Sequence, residues 1–410
     1  MSVNDAAARR IFKALDRFKI ELPSWGFADT GTRFGKFFQD AAASTIDEKF
    51  HDAGLVHALT GACPTVAVHV LWDFDVAADA TAHKRVAKLA QSHGVAIGSI
   101  NPNLFQEQTC KFGSCCSSCE YSRAAAIRHA LDSIDIGHAV GSKLLTLWLA
   151  DGTNYPGQDS IYQRKTRLEK ALKQLHAAME KKMRSGTMLV EYKPFEPAFY
   201  HTDIADWGMA RHFAQAAGKR AKVLVDTGHH LPGANIEHIV AFLLSENMLG
   251  GFHFNDKKYA DDDLTLGSID PYAAFRIFDQ IAQFEFETAK QPGATPIAYM
   301  VDQSHNLKPK LEAMTQTVCE AQKLMARAQV VDRKKLATAQ RKRDIVAAEM
   351  LLKEAFEADV TPVIEKWRKL KGLPADPLGE LRSSGVIAKL GKARAKARKD
   401  RGETQASSYA

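Results

Sequence analysis

The chain has 410 residues, of which 45% are hydrophobic, 25% charged and 9% aromatic, with six cysteines. A chain of this length and composition buries a core of its own, which excludes wholesale disorder and a disulfide scaffold. The net charge of +7 is local: Lys389, Lys392, Arg394, Lys396, Arg398, Lys399 and Arg401 against Asp400 make seven cations less one anion, six of that seven. The remainder is close to neutral, so a broad basic surface for nucleic acid is not expected. The opening segment MSVNDAAARRIFKALDRF has no apolar centre of the kind a secretory signal needs. No run of 18 uncharged apolar residues occurs, so no membrane span is expected and the chain reads as cytoplasmic.

Apolar runs of strand length recur through the first three-quarters. A weak one at 20–26 is followed by 65–71 (TVAVHVL), 95–100 (VAIGSI), 143–149 (KLLTLWL), 187–191 (TMLVE), 221–226 (AKVLVD), 250–254 (GGFHF) and 296–302 (PIAYMVD). Most are continuous rather than alternating, the pattern of parallel strands covered on both faces. Residues 124–136, 162–183, 204–217 and 235–245 between them have helical spacing. Strands alternating with helices predict a (β/α)8 barrel, with a doubly wound open sheet as the competitor. Beyond Asp302, Leu311, Met314, Val318, Ala321 and Met325 keep helical spacing, and 336–358 and 363–370 continue it. The expected organisation is a barrel over 1–305, a helical extension over 306–382 packed on the barrel or on another subunit, and a basic, flexible, solvated tail over 383–410.

His69, Glu191, Asp226, His253 and Asp302 stand at or near the C-terminal ends of five separate strand candidates. Buried carboxylates cost several kcal/mol unless paired or bound to metal. Five polar residues at one end of a barrel converge on its mouth, where active sites of this architecture lie. Asp226-Thr-Gly-His229 sets an imidazole just beyond a strand-end carboxylate, and Asp261 and Asp263 follow the His253 strand. Two ligand sets result: Glu191, Asp226, His253 and Asp302, then His229, Asp261 and Asp263, with Asp226 as the natural bridge between two ions. Oxygen with some imidazole suits Mn²⁺ first, then Mg²⁺, Co²⁺ or Zn²⁺. The acidic loop fails as an EF-hand, since Leu266 stands where glycine is needed. Lys193, two residues past Glu191 on extended backbone, faces the same way and can hydrogen-bond a substrate oxygen.

Other chemistries find less support. Gly31-Thr-Arg-Phe-Gly35-Lys36 is one residue too short for a P-loop, and no G-x-S-x-G elbow appears, which disfavours a two-metal phosphoesterase and a serine hydrolase. Cys110, Cys115, Cys116 and Cys119 contain one C-x-x-C and no second spaced pair; reduced loop cysteines or a small thiolate site both remain open.

The runs PSWGFADTGTRF (23–34), LWLADGTNYPGQ (147–158), EYKPFEPAFY (191–200), LVDTGHH (224–230), GGFHFNDKKYADDDL (250–264) and MVDQSHN (300–306) resemble L-rhamnose isomerase, in its bacterial subtype with relaxed aldose specificity. The likeness runs from about Pro23 into the helical extension. It implies a metal-dependent barrel of the xylose-isomerase type, a homotetramer, that interconverts L-rhamnose and L-rhamnulose. By matching position, Glu191, Asp226, His253 and Asp302 hold a structural metal, and His229, Asp261 and Asp263, with Asp226 bridging, a catalytic one. Lys193 contacts the sugar oxygens; Trp25, His69, Trp72, Trp148 and Ser304 line the sugar pocket; Phe34 reaches toward a neighbouring subunit's site. The segment before Pro23 is shorter than the family's, and the cysteine cluster is foreign to it.

The reaction expected is a 1,2-hydride shift in the opened sugar, with two divalent ions as Lewis acids. His69, with Asp73 four residues on, is the candidate for the ring-opening proton, its ordinary pKa of about 6.5 lying near working pH. Lys193 stabilises the developing oxygen anion. The competing enediol route needs a base over carbon, a role for Asp302 or Glu191 only if released from metal. A ketose 3-epimerase on the same barrel is the nearest rival.

Overall fold

A computed structural model describes residues 3–29, 31–32, 35–196 and 200–402. Eight parallel strands close into a barrel in the order β1-β8-β7-β6-β5-β4-β3-β2. They are β1 (Ile20–Pro23), β2 (Thr65–His69), β3 (Ala96–Asn101), β4 (Leu144–Leu147), β5 (Thr187–Glu191), β6 (Ala221–Asp226), β7 (Leu249–Phe254) and β8 (Ala298–Val301). The open-sheet alternative is thereby excluded. Four runs end earlier than their apolarity predicts, at Pro23, His69, Leu147 and Val301: Pro23 has no N–H for the ladder and leads into a tight turn, Ser24–Phe27, while His69 leads into a single helical turn, Val70–Asp73.

Helices between the strands start where polar side chains satisfy their free amides. Thr45 and Glu48 form a reciprocal cap on Ile46–Thr60, and Ser160, Asp206 and Asn235 cap the helices that follow them. The largest core lies between this helical ring and the outward faces of the strands. Inside the barrel the layers are chemically distinct. Leu189, Leu224 and Met300 pack together with Leu144 and Ala298 as an apolar plug. Because side chains on a strand repeat every second residue, the next inward positions are Thr146, Glu191, Asp226 and Asp302. The polar mouth is therefore set one layer above this apolar patch, beside which the buried carboxyl of Glu21, opposite Met300, accepts hydrogen bonds from Ser99 N and Oγ.

Beyond β8 the chain is helical, as its spacing predicts. The stretch of helical spacing over 336–358 is divided between two helices, Arg333–Lys342 and Ile345–Glu357. Arg343 takes a left-handed backbone (φ 58°) and Asp344 caps the second helix, so a local turn outweighs continuous periodicity. No described helix is long and apolar enough to cross a membrane.

The flexible, solvated tail expected over 383–410 needs correction. Val386–Asp400 is a helix, and its Gly391, Arg394 and Arg398 are buried against the barrel. Its basic residues divide by face. Arg394, Arg398 and Arg401 all bond to the chain segment 39–52, whereas Lys389, Lys392, Lys396 and Lys399 are exposed. Residues 403–410 lie outside the described residues.

Candidate active site

The first predicted ligand set comes together. Glu191, Asp226, His253 and Asp302, from the ends of four adjoining strands, each place a ligand atom within 4.8 Å of the others. Strand register explains this: Asp226 pairs with His253 across β6 and β7, and Glu191 with Leu224 across β5 and β6. His253 Nδ1 lies 3.2 Å from Glu191 Oε1 and 3.6 Å from Asp302 Oδ2. Asp302 accepts a hydrogen bond from Trp25 Nε1 at 2.8 Å. Asp226 accepts from Gly228 N (2.7 Å) and from Asn255 Nδ2 (3.0 Å). Gly228 is required there: a Cβ would come within 2.4 Å of Asn255 Oδ1.

The second set is more open. His229 Nε2 is 3.0 Å from Asp261 Oδ1, but Asp263 turns its Oδ2 to Ser304 Oγ at 2.7 Å. Among the described residues these three do not gather as the first four do. Lys193 engages one of them: its ammonium bonds Asp261 Oδ2 and Glu196 Oε2, each at 2.8 Å, and lies 5.2 Å over the Trp148 ring. Asp263 has φ +49°, a left-handed backbone uncommon outside glycine and frequent at functional sites.

Electrostatics at the mouth are lopsided. Glu191, Asp226, Asp261, Asp263 and Asp302 share it with the Lys193 ammonium, the imidazoles of His229 and His253, and the field of Lys257, which acts on Asp226 and Asp261. Burial, reinforced by Glu191 and Asp302, pushes Asp226 up to about 7. Burial and Asp261 push Asp263 well above the usual carboxylate range, and burial raises Asp302. Burial also opposes charge on His253, but Glu191 and Asp302 outweigh it and hold the imidazolium to about 9. Carboxyls forced toward neutrality around two imidazoles are the donor set a hard divalent cation fits, because it returns the missing positive charge. The site thus meets the chemical requirement for the ions the sequence suggests.

A cavity of about 190 Å³ opens beside this cluster. Trp25, His69, Trp72, Trp148 and Ser304 line it, as expected; Lys193 is not among its lining residues, and Phe34 lies outside the described residues. Asn101, Phe105 and Thr146, which sequence reasoning missed, line it too. Phe105 joins the aromatic wall, 4.8 Å from Trp148 and 5.9 Å from Trp72 between ring centres. His69 Nδ1, Thr146 Oγ1 and Trp148 Nε1 are buried with no protein hydrogen-bond partner among the described residues. Asn101, just past the run 95–100, was findable by the strand-end position that picked out Glu191; Thr146 lies inside its run, and Phe105 sits on a loop with no periodic signal.

Asp73 requires a correction. It does not meet the His69 ring but accepts from the His69 backbone N–H, from Ser24 Oγ and from Lys49 Nζ. The ring stands against Trp25 and Trp72 instead, and burial pulls its pKa down to about 3. His69 is thus a neutral imidazole at working pH, with a free Nδ1. The cysteines do not build a thiolate cluster among the described residues. Cys115 and Cys116 are buried, and burial together with Asp151 raises their thiols.

Comparison with known proteins gives concordant findings. Residues 64–288 match the family described as Xylose isomerase-like TIM barrel. The chain is 38% identical over 381 residues to a probable sugar isomerase of Mesorhizobium japonicum, covering 92% of this chain and 86% of that protein. It is also 38% identical over 400 residues to a probable sugar isomerase of Rhizobium meliloti, covering 95% and 90%. The solved structure of an L-ribulose 3-epimerase superposes with a TM-score of 0.51 at 13% identity, over 80% of this chain and 98% of that one. At that identity the likeness is one of fold.

Proposed function

The chain belongs to the Xylose isomerase-like TIM barrel family, and from that premise we propose that it is a metal-dependent sugar isomerase. Its reaction in this reading is the aldose–ketose interconversion of L-rhamnose and L-rhamnulose, and of related aldoses, by a 1,2-hydride shift. A homotetramer in the cytoplasm, acting on a small sugar and not on nucleic acid or membrane, completes the reading. One observation carries it: a four-residue ligand set at the barrel mouth opens directly onto a cavity walled by indoles.

Glu191, Asp226, His253 and Asp302 would hold one divalent ion, and His229, Asp261 and Asp263, with Asp226, a second. Bound there, the ions supply Lewis acidity that polarises the sugar carbonyl and its neighbouring hydroxyl. The aromatic faces of Trp25, Trp72, Phe105 and Trp148 cover the C–H side of the sugar and its C6 methyl, and exclude water. His69 Nδ1, Thr146 Oγ1 and Trp148 Nε1 offer hydroxyl groups the partners these atoms otherwise lack. Neutral His69 offers Nδ1 as a hydrogen-bond acceptor that orients a sugar hydroxyl; with its pKa drawn down to about 3 it is too weak a base to take the ring-opening proton. In this reading the Lys193 ammonium, which Asp261 and Glu196 keep charged against the cost of burial, stabilises an oxygen gaining negative charge.

The hydride route is favoured over an enediol because the carboxylates lining the cavity, Glu191, Asp261, Asp263 and Asp302, all belong to the ligand sets. None is left over as a base above carbon among the described residues. The same point weighs against the rival, a ketose 3-epimerase, which needs a base on each face of C3. The test is a panel of L-rhamnose, L-mannose, L-lyxose and D-allose with Mn²⁺, products separated by chromatography. Ketoses from the aldoses are expected; C3 epimers of a ketose without any aldose–ketose conversion overturn the reading. Substantial tritium exchange from C2-labelled substrate into water contradicts the hydride shift.

A further inference from the structure

We propose that the helix Val386–Asp400 is a clasp on the barrel mouth, and that Arg398 is a positioning residue for the site described above. The proposal rests on that site being catalytic. It starts from burial. Arg394 and Arg398 are 4% and 7% exposed, unusual for arginine in a basic segment. Arg394 grips Asp52 with both terminal nitrogens (2.8 and 2.7 Å) and bonds the Ala41 carbonyl at 2.6 Å. Asp52 is fully buried, so this planar, two-pronged pair anchors the helix to the barrel.

Arg398, one turn on, does something different. It bonds the carbonyls of Gln39 and Ala42 and lies 3.4 Å from Asp29 Oδ2. These groups surround the neck of the loop that leaves β1: Ala28 pairs with Ala43, and Ala43 N bonds the Phe27 carbonyl. Trp25, three residues before that neck, bonds Asp302 and lines the cavity. From the neck a second connection runs to the loop after β8. Asp29 Oδ1 accepts from Gln39 N at 2.7 Å, and Gln39 Nε2 bonds the carbonyls of Asn306 (3.3 Å) and Lys308 (3.0 Å). That loop presents Ser304 to Asp263. Arg398 therefore holds a joint between two loops, each delivering one hydrogen bond to a candidate metal ligand.

The clasp predicts that losing Arg398 loosens both loops while the strands stay intact. Hydrogen–deuterium exchange reads this without any substrate. In Arg398→Ala, peptides covering 38–45 and 302–309 should exchange faster, and those from β5 to β7 should not change. Gln39→Ala leaves the helix and its anchor alone and should speed exchange over 302–309 only; it serves also if Arg398→Ala fails to fold. In steady-state assays with Mn²⁺ and L-rhamnose, Arg398→Ala should raise KM about tenfold, with Arg398→Lys recovering part of the loss and Lys396→Ala, on the exposed face, behaving as wild type. Unchanged exchange over 302–309 in both Arg398→Ala and Gln39→Ala overturns the clasp. So does a KM in Arg398→Ala equal to that of wild type. Should wild type fail to isomerise any aldose, the functional reading falls, and the exchange data alone decide the clasp.

Discussion

Among the described residues two clusters gather ligand atoms within 4.8 Å: Glu191, Asp226, His253 and Asp302 at the mouth, and Cys116, Asp151 and Asp203 to one side of it. They differ in where the positive charge comes from. Beside Asp203, Arg164 lays its guanidinium along the carboxylate, with contacts of 2.8 to 3.1 Å, and reaches Asp159 at 3.0 Å. Arg167 adds a second bond to Asp159, and Asp151 is satisfied by Ser114 and the Cys116 amide. The chain brings its own cation to that cluster, which ties together the loops after β3, β4 and β5. At the mouth Lys193 leans on Asp261 and Glu196, and Lys257 lies in the field of Asp226 and Asp261, but no arginine among the described residues pairs with the four-residue set. Proximity of acidic groups thus marks either a structural knot or a metal centre, and the presence of a buried arginine separates the two.

The largest effect should come from Asp226→Ala, which removes a fully buried member of the mouth cluster and the proposed bridge between two ions. Bound manganese and turnover should fall by more than the ~10–100-fold typical when a residue that only orients a ligand is lost; full metal content with retained turnover would erase the distinction. Arg164→Met should do the reverse. Stripping the buried guanidinium leaves Asp203 uncompensated and costs ~3–5 kcal/mol in urea unfolding, with manganese stoichiometry unchanged. A loss under ~1 kcal/mol, the worth of an exposed pair, would show that cluster to be no knot.

Acidity sharpens the contrast. Asp226 keeps its proton up to about 7 and His253 up to about 9, and a cation must displace both. Raised values mean protons held by the folded protein below those pH values, so manganese affinity should increase from pH 6 to 8, by up to about tenfold per unit for each proton released. Calorimetry in buffers of different ionisation enthalpy counts those protons; none released would contradict the ligand assignment. Ser304→Ala, which removes a side-chain hydrogen bond to Asp263, should lower kcat/KM toward the small end of the ~10–100-fold range without altering the circular dichroism. Cys119→Ser, at an exposed position outside both clusters, should leave unfolding within ~0.5 kcal/mol and metal content as in wild type.

Much of this was legible before any coordinates. Eight apolar runs and the helices between them mark the barrel because β-strands buried on both faces cannot be written with another alphabet. Glu191, Asp226, His253 and Asp302 stand out because a charged residue closing such a run has no cheap place to go. Asn255, by contrast, looks like any loop residue, and only the turn at Gly228 brings it onto Asp226. The last helix is the instructive error. Its basic composition reads as solvated, yet Arg394 meets Asp52, 342 positions earlier in the chain. Nothing in either segment alone tells which face of the helix will find a partner.

Composition, run length and the two-residue repeat of extended chain determined the barrel, its polar rim and the ligand set, since these follow from local geometry and the cost of burying charge. Tertiary structure decided which ions are paired: that Lys193 takes Asp261, that Arg164 closes the side cluster, that Arg398 joins two loops. Coulomb energy depends on distance in space, and only the folded chain sets that distance.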